Sequence, residues 1–397
     1  MTRRTFLAGA SVVLPDRIAT GLTIVVEGGR ITDLVSGPRE IGAGEVRVDL
    51  SGRVIVPGFI DVHVHGVAGT DVLDGPGAVA RVAGRLPQWG VTAFCPTSLA
   101  CAPAVLSTFL QDVASARAAS APGHARVLPA HHESNFISQE YRGAQPAQCL
   151  RVPGASPPAS PDSFSAAEIL ALFERHRPDI GIVTLAPELD GGLDLVRALV
   201  RAGTRVALGH SGASFDEAQA AIAAGASHAT HLFNRMRPMT HRDPGLVGAV
   251  LSSDEVAAEL IVDGCHIHPA VMRVAIAAKG ASRLMAISDG TAGAGLPSGA
   301  RATLGGLPIT VGDVARLDDG TIAGSVATMD RVFATLVTAC DVDLVQAAEM
   351  CATTPARELG LVGFGLISPG AVADLTVLDD RLAVVETWID GARIASP

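Results

Sequence analysis

The chain has 397 residues, more than one ordinary compact core accommodates, so a large domain with a smaller companion is expected. Its 48% hydrophobic and 18% charged content excludes a disordered chain. The 30 basic residues against 40 acidic ones give a formal charge of −10 without any basic run, which argues against nucleic acid as a partner and leaves any anionic ligand to a few local arginines.

At the N-terminus, Arg3-Arg4-Thr5-Phe6-Leu7 has the form of a twin-arginine export signal, but the apolar run after it stops at Pro15-Asp16-Arg17 and no cleavage site follows. Residues 5–14 and 21–26, with the Gly28-Gly29 turn, read instead as short strands. The same texture returns near the C-terminus in ADLTVLDD and AVVETWIDGARI. Residues 1–53 and 368–397 are therefore expected to pair into one small β-sandwich domain beside a catalytic domain at 54–367. No apolar stretch reaches the roughly 18–20 residues of a membrane span. The cysteines are scattered without a CxxC pair, which reads as reduced thiols in a cytoplasmic protein.

Between the terminal segments, apolar strands alternate with alanine-rich helical stretches, the signature of βα units on a parallel sheet. Eight strands are predicted: 54–64, 91–98, 126–133, 180–187, 205–211, 228–234, 257–264 and 283–290. Helices such as GLDLVRALVRAG and SFDEAQAAIAAG lie between them, each closing on glycine. Eight such units predict an α/β fold, a (β/α)8 TIM-like barrel. The competing fold, a doubly wound open sheet, lacks the GxGxxG that would open one of its helices. Residues 141–165, rich in Pro and Ser, and the glycine-rich stretch 291–323 interrupt the alternation where a barrel keeps its chemistry.

His63 and His65 are one residue apart on the first predicted barrel strand, so both side chains share a face. Two adjacent imidazoles in a barrel make a poor apolar core and a good pair of metal ligands. Glu133, His210, His231 and Asp289 each close a different predicted strand. Singly, each has an ordinary explanation, a hydrogen-bonded core histidine or a turn at Asp289-Gly290. Together on one barrel rim they read as a metal site.

PGFIDVHVHG resembles the opening motif of the amidohydrolase superfamily. With VTLAPE, LGHSGAS, ATHLFNRM, HRDPGLVG, DGCHIHP, SDGTAGAG and GTIAGSVATM, the chain resembles the N-acetylglucosamine-6-phosphate deacetylase family over essentially its whole length. The resemblance implies hydrolysis of the N-acetyl group of N-acetylglucosamine 6-phosphate with one or two divalent cations, zinc foremost. It places Glu133, His210 and His231 on one cation, and His63 and His65 on a second that Glu133 bridges. Asp289 matches the general base and proton shuttle, and His266 the group that hydrogen-bonds the substrate carbonyl. Asn234, the backbone of Arg235, and Arg242 match the positions that hold the sugar phosphate, Arg242 reaching across from a second subunit; a homodimer follows. Ala144, Asp263, Gly264 and the Ile322-Ala323-Gly324 turn match further sugar contacts.

The single lysine, Lys279, falls in a predicted helix after the seventh strand, so the carbamylated lysine that bridges metals in other binuclear amidohydrolases has no counterpart here. Two positions depart from the family pattern. Glu133 is followed by Ser134-Asn135 where the family has Gly-Pro, a pair that fixes a particular backbone path which Ser-Asn need not reproduce. Arg235 stands where a small residue is usual, either as local drift or as a reader of another anionic group. A paralogue acting on a different N-acylated compound, and a catalytically dead barrel that only binds, are the competing functions. The complete ligand set with Asp289 argues against the second. His131 and His132, beside Glu133, read as packing or supporting residues.

Overall fold

The structure, a computed structural model, describes residues 4–37, 42, 44–119, 121–156 and 163–394. Arg3 of the twin-arginine pair and residues 157–162 of the expected loop at 141–165 lie outside the described residues. No helix among the described residues is long and apolar enough to cross a membrane.

The predicted runs form eight parallel strands: β1 (Phe59–Val64), β2 (Val91–Ser98), β3 (Ala130–Glu133), β4 (Ile180–Leu185), β5 (Arg205–Leu208), β6 (His228–Ala229), β7 (Ala257–Ile261) and β8 (Leu284–Ile287). Each pairs with its sequence neighbour, and a parallel bridge between Val64 and Gly290 joins the last to the first. A helix follows every strand, from α1 (Ala78–Arg85) after β1 to α8 (Met329–Ala339) after β8. The fold is the expected (β/α)8 barrel. Two of its helices, Ala166–Arg175 and Phe215–Ala223, open on capping boxes, Ser165 with Glu168 and Ser214 with Glu217.

The terminal segments form a four-stranded and a six-stranded sheet around a separate apolar cluster that includes Leu7, Ile24, Ile55, Leu375 and Trp388. The predicted strand 54–64 is two strands. Val54–Pro57 pairs with Leu375–Leu378 in the terminal sheet, and only Phe59 onward enters the barrel. The chain crosses between sheets at Gly58, where a Cβ would lie 2.3 Å from the Thr92 methyl, so only glycine permits the approach.

Within β1 the side-chain alternation is broken. Ile60 and Val62 belong to the barrel-interior cluster, whereas Val64 packs with Phe59 in the outer core. The register against β2 slips between Asp61 and Val64, a β-bulge of one residue. The bulge lets His63 and His65 face inward even though Ile60 and Val62 already do.

The Ser134-Asn135 turn is fully buried and held by hydrogen bonds. Asn135 Nδ2 donates to the carbonyls of Cys101 at 2.8 Å and Cys149 at 2.7 Å, and Ser134 Oγ donates to Thr184 O at 2.5 Å. A side-chain staple thus fixes the backbone path of this turn, where a Gly-Pro pair would act through its own torsions. Asn135→Ala is expected to destabilise the protein by about 2–3 kcal/mol, because two buried carbonyls lose their donor; urea unfolding of the variant measures it.

His228, also inside the barrel, is kept neutral: burial pushes its pKa down to about 3. In the unfolded chain it takes up a proton as pH falls below about 6.5, while the folded protein resists until about 3, so stability is lost through that window as pH falls. For this one group the loss between pH 7 and pH 5 is about 2 kcal/mol. Metal-free His228→Leu should lose that much less than the parent protein when urea midpoints at the two pH values are compared.

Candidate active site

Three of the predicted rim residues share one backbone device. β5, β6 and β8 stop at Leu208, Ala229 and Ile287, and two residues later His210, His231 and Asp289 adopt positive φ of 48°, 29° and 48°. The predicted strands 205–211, 228–234 and 283–290 are therefore shorter than expected, because the ligand-bearing residues have left the extended conformation. Left-handed backbone at non-glycine residues costs roughly 1–3 kcal/mol each and persists only where surrounding structure imposes it. Here the restraints are main-chain bonds: Thr230 N–H donates to Leu208 O at 3.0 Å, Leu232 N–H to Glu259 O at 2.8 Å, and Ser325 N–H to Asp289 O at 2.9 Å. Gly324 supports Asp289 from the following loop; a Cβ there would sit 2.7 Å from the Thr291 methyl and 3.1 Å from Asp289 O.

The side chains converge on Glu133. Its Oε1 lies 2.8 Å from His210 Nε2 and 2.9 Å from His231 Nε2, and its Oε2 lies 3.7 Å from His65 Nε2. His63 Nε2 is 4.0 Å from Glu133 Oε1 and 3.2 Å from His65 Nε2. Asp289 Oδ1 stands 3.4 Å from His63 Nε2 and 3.3 Å from His65 Nε2. The opposite ring nitrogens point away to fixed acceptors: His63 Nδ1–H donates to Glu259 Oε2 at 2.9 Å, His65 Nδ1–H to Thr97 O at 3.0 Å, and His210 Nδ1–H to Tyr141 O at 2.8 Å. For these three rings the bonds leave the Nε2 lone pair facing the middle; His231 Nδ1 has no such partner among the described residues, and its Nε2 lies 3.1 Å from His210 Nε2. Lone pairs and two carboxylates cannot crowd together in a buried space without a positive charge among them. The donor set fits a metal site, with His63, His65 and Glu133 as one triad and Glu133, His210 and His231 as another.

The protonation tendencies agree. Burial works to raise the Glu133 carboxyl, but His210, His231 and His63 outweigh it and hold it well below the usual range. Asp289 is likewise drawn down to about 2 against its burial by His63 and His65. Burial opposes charge on His65, yet Asp289 beside it drives its pKa up to about 9. The centre demands positive charge, which a divalent cation supplies. Beneath it, burial pushes both Asp61 and Glu259 up to about 7. Asp61 accepts from Ser288 Oγ at 2.5 Å and ties β1 to the segment that carries Asp289.

Above the centre opens a cavity of about 480 Å³. Ala144, Asn234, Arg235, His266, Ile322 and Gly324 line it, together with four of the five candidate metal ligands and Asp289. His63 lies fully buried beneath. Arg242, Asp263, Gly264 and Ala323 do not line it. Asp263 is instead committed to His266: its Oδ2 accepts from His266 Nδ1 at 2.6 Å, and its Oδ1 accepts the N–H groups of Cys265 and His266. Arg242 is exposed on the loop that precedes the helix at Gly245–Leu251. Arg235 is exposed at the mouth, its chain against Gly143, with φ 51°.

Two residues in this shell were not foreseen. Gln145 donates to Glu133 Oε2 and accepts from Ala100 N–H at 2.7 Å, holding the carboxylate through the oxygen that His210 and His231 do not contact. It lies in the loop expected to cover the site, but nothing in its spacing marked it. Glu259 could have been found as a lone acid in the apolar run of β7. Lys279 ends the helix at Pro269–Lys279 and donates to the carbonyls of Val250 and Ser253, remote from the centre. No lysine bridges the ligands.

Residues 54–394 match the amidohydrolase family. The chain is 38% identical to the N-acetylglucosamine-6-phosphate deacetylase of Rattus norvegicus over 95% of this chain and 94% of that protein. It is 34% identical to the N-acetylgalactosamine-6-phosphate deacetylase of Escherichia coli O157:H7 over 85% and 87%. A solved structure from Mycobacterium smegmatis, a variant N-acetyl-D-glucosamine-6-phosphate deacetylase in complex with N-acetyl-D-glucosamine-6-phosphate, is 30% identical and superposes with a TM-score of 0.87 over 99% of both chains. With its barrel, its converging imidazoles and these relatives, the chain belongs to the amidohydrolase family, among the N-acetylglucosamine-6-phosphate deacetylases.

Proposed function

We propose that the protein removes the acetyl group of N-acetylglucosamine 6-phosphate, giving glucosamine 6-phosphate and acetate. The observation that carries this is the convergence of four imidazole Nε2 atoms and the Glu133 and Asp289 carboxylates at the floor of a cavity of sugar-phosphate size. His210, His231 and Glu133 would hold one divalent cation, and His63 and His65 a second, with Glu133 shared; zinc suits this imidazole and carboxylate set. When bound, the cation supplies Lewis acidity toward a water molecule and the amide carbonyl.

The chain's own groups do the rest. Asp289 takes a proton from the attacking water and passes it to the amide nitrogen, whose bond to the acyl carbon then breaks. His266 gives its Nδ1–H to Asp263, which fixes the ring at the cavity wall, where it is placed to meet the developing negative oxygen. Asn234 and the backbone of Arg235 receive the phosphate, with Arg242 arriving from a second subunit of a homodimer. The protein works in the cytoplasm, and the terminal β unit, bounded at Gly58, supports the barrel. Ala144 and the Ile322–Gly324 turn hold the sugar.

A second reading is favoured by Arg235, which places a cation at the cavity mouth, at a position where the family resemblance implies a small residue. A different N-acylated amino sugar that bears another anionic substituent would be preferred if Arg235 reads that substituent. Acetate release from the two N-acetylhexosamine 6-phosphates and their unphosphorylated sugars is the test. Turnover confined to some other N-acyl compound overturns the substrate and leaves the hydrolysis standing.

Asp289→Asn should lower kcat about 10²–10⁴-fold while bound metal is retained. Arg235→Ala should lower the preference for phosphorylated over unphosphorylated substrate, measured as the kcat/KM ratio, by about tenfold or more. An unchanged ratio takes the Arg235 side chain off the phosphate.

A further inference from the structure

Glu259 lies in β7, on the strand that also places Ala257 and Ile261 in the barrel interior. It is completely buried. Neither the proton shuttle nor the expected ligand set uses it. Burying a carboxylate costs several kcal/mol more than burying an apolar side chain of the same size, so packing alone gives no reason for it.

Its contacts do. Oε2 accepts the Nδ1–H of His63 at 2.9 Å and also the main-chain N–H of His231 at 3.2 Å. Oε1 has no hydrogen-bond partner and lies 3.6 Å from His131 Nδ1. One oxygen therefore touches a histidine from each half of the site. The bond to Nδ1 holds the His63 proton on the side away from Glu133, which is what leaves Nε2 free as a ligand. The bond to His231 restrains the main chain where it takes its left-handed turn.

We propose that Glu259 is a positioning residue that orients His63 for the second cation and tethers it to the backbone of the first. The proposal rests on the reading that His63 and His65 hold a cation. The rival role for Glu259, as a ligand in its own right with His63 and His131, requires His63 to give up its Nδ1–H.

The test compares the full-length wild type with Glu259→Gln and Glu259→Leu. Each is stripped, reloaded with zinc or cobalt, and followed by metal content, by binding titration and by the visible cobalt spectrum. The wild type should take up two ions. Affinity for one of them should fall in the order wild type, Gln, Leu, by about 10–100-fold for Leu, with a smaller loss at the other. The carboxamide keeps an oxygen acceptor for the His63 Nδ1–H and so preserves part of the effect. Should the Leu variant fail to fold, the isosteric Gln variant against wild type decides. Two ions bound with unchanged affinities in the variants, or equal losses at both sites, overturn the positioning role. A third ion lost with Glu259 identifies it as a ligand and also overturns it. A wild type that takes up a single ion overturns the two-cation reading, and this role with it.

Discussion

Three imidazole N–H groups turned outward, to Glu259, Thr97 and Tyr141, decide what the centre of this barrel can be. Each fixes a ring so that its other nitrogen presents a lone pair to the middle, where Glu133 and Asp289 already bring negative charge. A fold that buries such a set without a cation must pull protons onto some of its histidines, as the upward drive on His65 and His231 records, while burial keeps His63 neutral. The rest of the molecule can be understood as the means of holding those rings in place.

The means are costly locally and distributed widely. His210, His231 and Asp289 sit in left-handed backbone just past their strands, and β1 carries a bulge that turns the paired histidines inward. Neither arrangement would survive on a surface loop. The parallel ladder below and the main-chain bonds above impose them, which is why the ligands sit on strand ends and why Gly324 must be small beside Asp289. The Ser134-Asn135 turn belongs to the same scheme, replacing a stiff dipeptide with an asparagine whose amide binds two carbonyls of neighbouring loops.

Much of this was legible in the sequence because barrel strands are short apolar runs and the ligands stand at their ends. The alternation of strands and alanine-rich helices gave the architecture, and His63, His65, Glu133, His210, His231 and Asp289 do come together. What was not legible depends on backbone detail. Alternation alone cannot reveal the bulge in β1, nor that the strands end two residues before their histidines. The change of sheet at Gly58 was hidden because Val54–Val64 reads as one apolar run. Asp263 was matched to the sugar, whereas its carboxylate is occupied by His266. Glu259 and Gln145 act through other side chains, a role that no spacing rule reports.

Because the account stands on where the four Nε2 atoms point, crystals of the zinc-loaded protein measured at the zinc absorption edge test it most directly. It predicts anomalous peaks about 2.0–2.1 Å from Nε2 of His210 and His231 and of His63 and His65, with Glu133 between them. Zinc found only elsewhere in the molecule, with these imidazoles unliganded, would contradict it.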